Sequence, residues 1–222
     1  MIKGCLFDLD GTLLDTLKSI RYYLNYTLEK YGIRTLSEEE TKIFVGKGAK
    51  NLVERSMAAA GIDFLSGEGA ELLSKVHPEY VALYDANPEY LTEPYAYITE
   101  AVDELYKSGI KLAVISNKPD TTVKQLVERS FPGKFEIVEG GSDRFPLKPD
   151  AAWPLSICER LSLSPSEVAY FGDTSTDMKT AKNFGAALAV GVSWGFRSEE
   201  ELISNGADVI ISSPSEIPSV IK

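Results

Sequence analysis

The chain has 222 residues, enough for one large domain or two modest ones, and its 44% hydrophobic fraction is that of an ordinary globular protein. Its 33 acidic and 23 basic residues give a formal charge of -10, which argues against a nucleic-acid or anionic-membrane binder, since such proteins carry a basic patch. Cys5 and Cys158 read as buried, reduced thiols, no apolar stretch is long enough to span a bilayer, and the N-terminus lacks the pattern of a signal peptide, so a cytoplasmic protein is expected.

The first element, Ile2 to Phe7, is mostly apolar and reads as a buried strand. It runs into Asp8-Leu9-Asp10-Gly11, two carboxylates one residue apart followed by a glycine. In an open α/β sheet ligands bind at the carboxyl ends of the strands. Two carboxylates there repel each other and are costly to desolvate unless a cation joins them. The expectation is a divalent metal and chemistry on a charged substrate.

From about Thr16 to Asn87 the pattern is helical, with no convincing strand. Ile20, Tyr23, Leu24, Thr27, Leu28 and Tyr31 fall on one helical face, and Leu52 to Ala60 and Glu71 to Tyr84 also read as helices. Glu38 to Glu40 read as a solvated helix start. Residues 16–89 are therefore expected to form an inserted α-helical cap domain. It leaves and returns near the carboxyl end of the first strand, which would place it there as a lid. Pro88 and Pro94 mark the return. The lone histidine, His77, reads as a packed or surface residue.

Beyond residue 90 strands and helices alternate. Strands are expected at Lys111 to Ile115, Phe135 to Val138, Val168 to Phe171, Ala187 to Val192 and Asp208 to Ile211. Helices are expected at about Ile98 to Ser108, Asp120 to Ser130, Ala151 to Leu161, Thr176 to Phe184 and Glu199 to Asn205. Gly109, Gly185 and Gly206 stand where these helices stop. The alternation predicts a doubly wound α/β fold with a mostly parallel, Rossmann-like core sheet, built from residues 1–15 and 90–222.

Two more of these strands end in reactive polar groups: Ser116-Asn117-Lys118-Pro119 and Gly172-Asp173-Thr174-Ser175-Thr176-Asp177. Lys148-Pro149-Asp150 lies between them, just before a helix. In a parallel sheet Asp8, Asp10, Ser116 and Asp173 converge on one edge. Asp8, Asp173 and a backbone carbonyl suit Mg²⁺, which takes oxygen ligands. Ser116 and Lys148 suit two phosphoryl oxygens, and free amides around Leu9, Gly11 and Asn117 suit a third. One carboxylate attacks phosphorus and the other handles protons. Nothing supplies a Ser-His-Asp or Cys-His set.

These four segments, in this order and covering essentially the whole chain, resemble the motifs of the haloacid dehalogenase superfamily. The helical insertion resembles the small cap of its phosphoglycolate phosphatase-like members. Val45 to Arg55 is similar to their glycine-containing cap loop, and Gly191 to Phe196 to their segment after the fifth core strand. The resemblance implies a magnesium-dependent phosphatase acting on a small phosphate monoester, best guessed as 2-phosphoglycolate. It implies Asp8 as the nucleophile that forms an aspartyl-phosphate. It implies Asp10 as acid and then base, its carbonyl also reaching the metal. Asp173 would be a metal carboxylate, and Ser116, Asn117, Lys148 and Gly11 would bind the phosphoryl group. Asp177 would support Lys148 or a metal-bound water, and Thr174 stands where serine is usual. Lys47, in the cap loop, would add a positive charge toward the substrate. Asp10 separates a phosphatase from a dehalogenase, which has no leaving oxygen to protonate. The alternatives are a phosphomutase of the β-phosphoglucomutase type and a non-catalytic interaction module on the same fold. Arg197 reads as a surface residue. The expected partner is a small organic phosphate, with no nucleic acid and no membrane, for a monomer or homodimer.

Overall fold

Short apolar runs bounded by turns form the sheet of this protein, seen in a computed structural model that describes residues 1–221. In chain order the first unit contributes β1 (Gly4–Phe7) and β2 (Leu14–Asp15). A helical unit follows, with α1 (Leu17–Lys30), α2 (Glu38–Phe44), α3 (Ala49–Ala59) and α4 (Gly67–Ala86). The chain then gives β3 (Glu93–Pro94), α5 (Ile98–Lys107), β4 (Lys111–Pro119), α6 (Asp120–Ser130), β5 (Ile137–Gly141) and α7 (Ala152–Arg160). It ends with β6 (Val168–Gly172), α8 (Ser175–Phe184), β7 (Leu188–Val192), α9 (Glu199–Ser204), β8 (Val209–Ile211) and α10 (Ile217–Val220). By contact density the chain divides into Met1–Asp15 together with everything from Glu93 onwards, and Thr16–Thr92.

In the larger unit the six-stranded sheet has the order β5-β4-β1-β6-β7-β8, and every pairing is parallel. This is the doubly wound α/β core expected from the alternation of elements. Side chains alternate across it. Cys5 and Phe7 of β1, Leu112 and Val114 of β4 and Ala169 and Phe171 of β6 pack with Ile98, Val102 and Leu105 of α5 and Val123, Leu126 and Val127 of α6. Leu6, Ala113, Ile115 and Tyr170 face the other way, onto Trp153, Ile157 and Cys158 of α7 and Met178, Ala181 and Phe184 of α8. Both cysteines are buried thiols without a disulfide, and burial pushes both up, Cys158 to about 11.

Three features depart from the expected elements. β4 continues four residues beyond Ile115, through Ser116, Asn117, Lys118 and Pro119, because Ser116 and Pro119 still pair with Gly140 and Gly141 of β5 across a register shift. The polar tail is thus strand and not turn. β2 and β3, where the chain leaves and re-enters this unit, pair antiparallel, Leu14 with Pro94 and Asp15 with Glu93. Two residues per strand are too short for a sequence pattern to reveal. The third is α10, a single turn.

Within the helical unit, α1 buries Ile20, Tyr23, Leu24, Thr27 and Leu28, the face read from their spacing; Tyr31 lies just past its end. Tyr23 donates its hydroxyl to the Asn87 carbonyl at 2.9 Å and lies edge-on to Tyr84, ring centroids 5.3 Å apart. α2 starts at a reciprocal cap: Ser37 accepts from the Glu40 amide, and the Glu40 carboxylate accepts from the Ser37 amide. α4 runs through Pro78, with His77 half-buried on it; burial pushes that imidazole down. No helix among the described residues is long and apolar enough to cross a membrane.

Phe7 and Phe171 sit side by side on β1 and β6, stacked with centroids 4.7 Å apart and fully buried. They join the two strands whose ends carry Asp8 and Asp173. Phe171→Ala is expected to cost about 3–5 kcal/mol of stability. Urea unfolding monitored by circular dichroism measures it, and an unchanged midpoint would show that this pair is not a structural anchor.

Candidate active site

Register alone brings the polar ends together. Phe7 lies opposite Val114 of β4 and Phe171 of β6, so Asp8 follows Phe7 while Ser116 and Asp173 each stand two residues beyond their partner of Phe7. Asp8, Ser116, Asn117, Lys148, Asp173, Thr174 and Asp177 are all buried. Carboxylate oxygens of Asp8, Asp173 and Asp177 lie within 4.8 Å of one another.

Lys148 is the cation inside this group. Its Nζ is 2.9 Å from Asp8 Oδ1 and 2.8 Å from Asp177 Oδ1. Its loop is clasped by Asn117, whose side-chain amide donates to the Lys148 carbonyl at 3.1 Å and whose carbonyl accepts the Lys148 amide at 2.8 Å. The Asn117 side chain therefore fixes Lys148. Burial alone would push the Lys148 ammonium down, but Asp177 and Asp8 outweigh it and hold it well above its ordinary value.

Asp177 has donors on both oxygens. Oδ1 accepts from Lys148 and from the Tyr170 hydroxyl at 3.2 Å; Oδ2 accepts from the Thr174 amide at 3.1 Å and the Thr174 hydroxyl at 2.5 Å. Thr174 and Asp177 also cap the start of α8 reciprocally. Asp177 thus serves helix start and lysine at once.

Asp173 is differently surrounded. Its Oδ2 accepts the Phe196 amide at 2.8 Å, and Thr12 donates to Oδ1 at 3.4 Å. Two glycines make room for it. A Cβ on Gly11, whose φ is +84°, would fall 2.2 Å from Asp173 Oδ2, and one on Gly195 would fall 2.3 Å from Asp173 Cβ. Burial, then the charges of Asp177 and Asp8, push Asp173 well above the carboxylate range. Burial and Asp177 push Asp8 up to about 7, against the pull of Lys148.

The donor set fits a hard divalent cation. It is all oxygen, buried, and carries three carboxylates against one ammonium. With Asp177 engaged by four donors, Asp8 and Asp173 are the carboxylates suited to hold it.

Other sequence expectations fall elsewhere. The amides of Leu9 and Gly11 were expected to be free. Leu9 donates to Asp8 Oδ1 at 2.7 Å and Gly11 to the Leu14 carbonyl at 2.9 Å, because the turn after β1 closes on itself. Asp10 is outside the three-carboxylate group; its carboxylate faces Lys118, with Nζ 3.1 Å from Oδ1. Lys47 is exposed between α2 and α3 in the helical unit. Arg197 is not a surface group: its side chain is only 14% exposed, and its charge pulls on Asp173. Lys118 and Tyr170 were missed as site residues. Little in the sequence marks Lys118, because its segment reads as a turn after Ile115 and continues as strand only through pairing with β5 across a register shift.

The profile of the haloacid dehalogenase-like hydrolases matches residues 5–190. The chain is 28% identical to the phosphoglycolate phosphatase of Vibrio parahaemolyticus over 99% of this chain and 96% of that one. It is 30% identical to the phosphoglycolate phosphatase of Aquifex aeolicus over 97% and 95%. Among solved structures it is similar to one from Lactobacillus delbrueckii subsp. bulgaricus, with TM-score 0.90, 29% identity and 99% and 98% coverage. It also shares the fold of a haloacid dehalogenase-like protein of Streptococcus pneumoniae, with TM-score 0.85, 24% identity and 100% and 99% coverage.

The raised carboxyls have a measurable consequence. Asp8 and Asp173 titrate higher when folded than when unfolded, so their stabilising contribution is complete below about pH 4 and is lost as pH rises through their raised values, about 7 for Asp8. Cation-free protein is expected to melt lower at about pH 8 than at about pH 5, and a divalent cation to recover stability mainly at the higher pH. Thermal melts with EDTA or with millimolar MgCl₂ measure this; a cation effect equal at both pH values would contradict it.

Proposed function

The chain belongs to the haloacid dehalogenase-like hydrolases and is a phosphoric monoester hydrolase, and we propose that it cleaves a small phosphate monoester, with 2-phosphoglycolate the leading candidate, through an aspartyl-phosphate on Asp8. The observation that carries this reading is the buried Asp8 carboxylate, held by Lys148 beside Asp173 at the carboxyl end of β1. The substrate comes from the relatives, which are phosphoglycolate phosphatases matched over nearly their full lengths.

Asp8, Asp173 and the Asp10 carbonyl would hold Mg²⁺. That ion, when bound, supplies positive charge against the phosphoryl oxygens and the two carboxylates. Lys148 and the Leu9 amide fix the plane of the Asp8 carboxylate. An Asp8 oxygen forms a bond to phosphorus as the bond from phosphorus to the ester oxygen breaks. Asp10 gives its proton to that departing oxygen, which leaves as the alcohol. Asp10, now a carboxylate, then takes a proton from water. The water oxygen bonds to phosphorus, the Asp8–phosphorus bond breaks, and inorganic phosphate is released with Asp8 regenerated. Ser116 and Lys148 bind the phosphoryl oxygens throughout. An alkyl ester such as 2-phosphoglycolate has a poor leaving oxygen, so the proton from Asp10 matters in the first step. The remaining sequence expectations, a cytoplasmic setting and a substrate contact from Lys47, belong to the same reading.

Asp8→Asn is expected to lose on the order of 10⁵-fold in kcat while retaining the wild-type melting curve. Phosphate release from a panel of phosphate monoesters with Mg²⁺ measures it; activity surviving in that variant would remove Asp8 as nucleophile. EDTA should silence the wild-type enzyme and MgCl₂ should restore it. Absence of turnover on the whole panel, 2-phosphoglycolate included, would overturn the reading.

A further inference from the structure

We infer that Lys118 is a positioning residue, which holds the Asp10 carboxylate at the angle needed to hand its proton to the departing oxygen; this rests on Asp10 having the role proposed above. Lys118 Nζ is 3.1 Å from Asp10 Oδ1 and 3.4 Å from Oδ2. An ammonium straddling both oxygens restrains the carboxylate about its Cβ–Cγ bond, where a single hydrogen bond would leave it free to turn. The pair is shielded, with the Lys118 side chain 7% exposed and that of Asp10 19%. Water competes weakly there, so the contact is more than a surface ion pair.

The lysine is itself held. It lies on the part of β4 that continues past Ile115, its amide donates to Ser116 Oγ at 3.3 Å, and Pro119 just beyond it still pairs with Gly141 of β5. It is not needed to balance Asp8, since Lys148 already bridges Asp8 and Asp177. Two lysines on separate segments thus serve two carboxylates with different tasks. Misplacing a proton donor by even an ångström is costly to a step that depends on it and harmless to one that does not.

That difference gives the test. Single-turnover formation of the phosphoenzyme is followed by rapid quench with two substrates, 2-phosphoglycolate, whose alkyl oxygen needs a proton to leave, and 2,4-dinitrophenyl phosphate, whose phenolate leaves without one. In Lys118→Met the first reaction should slow about a hundredfold, while the dinitrophenolate burst stays within about threefold of wild type and its decay slows, because Asp10 must still activate water. Lys118→Arg, which keeps the charge, should recover at least about a tenth of the lost rate. Equal slowing with both substrates, or no slowing with either, would overturn the inference. So would failure of both Lys118→Met and Lys118→Gln to fold, which would make Lys118 a purely structural residue. A wild-type enzyme that gives no phosphoenzyme with either substrate would instead defeat the aspartyl-phosphate reading itself.

Discussion

Buried negative charge is the constraint from which the rest of the site follows. Asp8, Asp173 and Asp177 crowd within 4.8 Å, and one ammonium, that of Lys148, stands among them. Three carboxylates and one lysine leave two charges uncompensated in a place water barely reaches, and isolated charges there are very costly. The protein answers in part by raising Asp8 and Asp173 out of the ordinary carboxylate range and by aiming the Phe196 amide and the Arg197 field at Asp173. The remaining imbalance matches a divalent cation in sign and size. The glycines serve the same end: side chains at Gly11 or Gly195 would occupy the space of the Asp173 carboxylate.

The sheet makes this crowding reproducible. β1 lies between β4 and β6, so the turn after it is flanked by both neighbouring strand ends. Because parallel pairing fixes register, packing of Phe7 on Phe171 also sets the level at which Asp8 and Asp173 emerge. Asn117 extends the arrangement sideways. It belongs to β4, yet both ends of its amide are spent on the Lys148 backbone, which ties the loop before α7 to the sheet.

Much of this was legible in the residues. The apolar runs predicted the parallel strands, and of the polar groups that end them Asp8 and Asp173 come within 4.8 Å of each other, while Asp10 lies outside that group against Lys118. What escaped was governed by pairing rather than pattern. The extension of β4 depends on β5 still being alongside, and the run Ser116-Asn117-Lys118-Pro119 looks like a turn when read alone. The Leu9 and Gly11 amides looked available because nothing in the sequence declares that the loop after β1 bonds to itself. Arg197 looked like a surface residue because a charged group before Ser198-Glu199-Glu200 is usually solvated. Its charge acts on Asp173, which directly follows β6 and is distant in sequence. Helices of the 16–92 unit were visible from their apolar spacing, while contacts that define its interior, such as Tyr23 to Asn87, span 64 positions.

Two aspartates two residues apart come to differ through their partners rather than their identity. Asp8 is the more enclosed, with a side chain 10% exposed, and it shares its lysine with Asp177. Asp10 is about twice as open, at 19%, and pairs with Lys118. In the mechanism proposed above, the carboxylate that bonds to phosphorus would benefit from enclosure, because a poorly hydrated nucleophile has less water to shed. One that must give up a proton and later take one from water needs an opening and a fixed aim. A strand end supplies both environments within three residues, because the chain turns immediately after Asp8, where the Leu13 and Leu14 amides return to the Leu9 carbonyl. The different surroundings of the two carboxylates are therefore set by the turn, with Lys118 of β4 paired to Asp10 and Lys148, in the loop before α7, paired to Asp8.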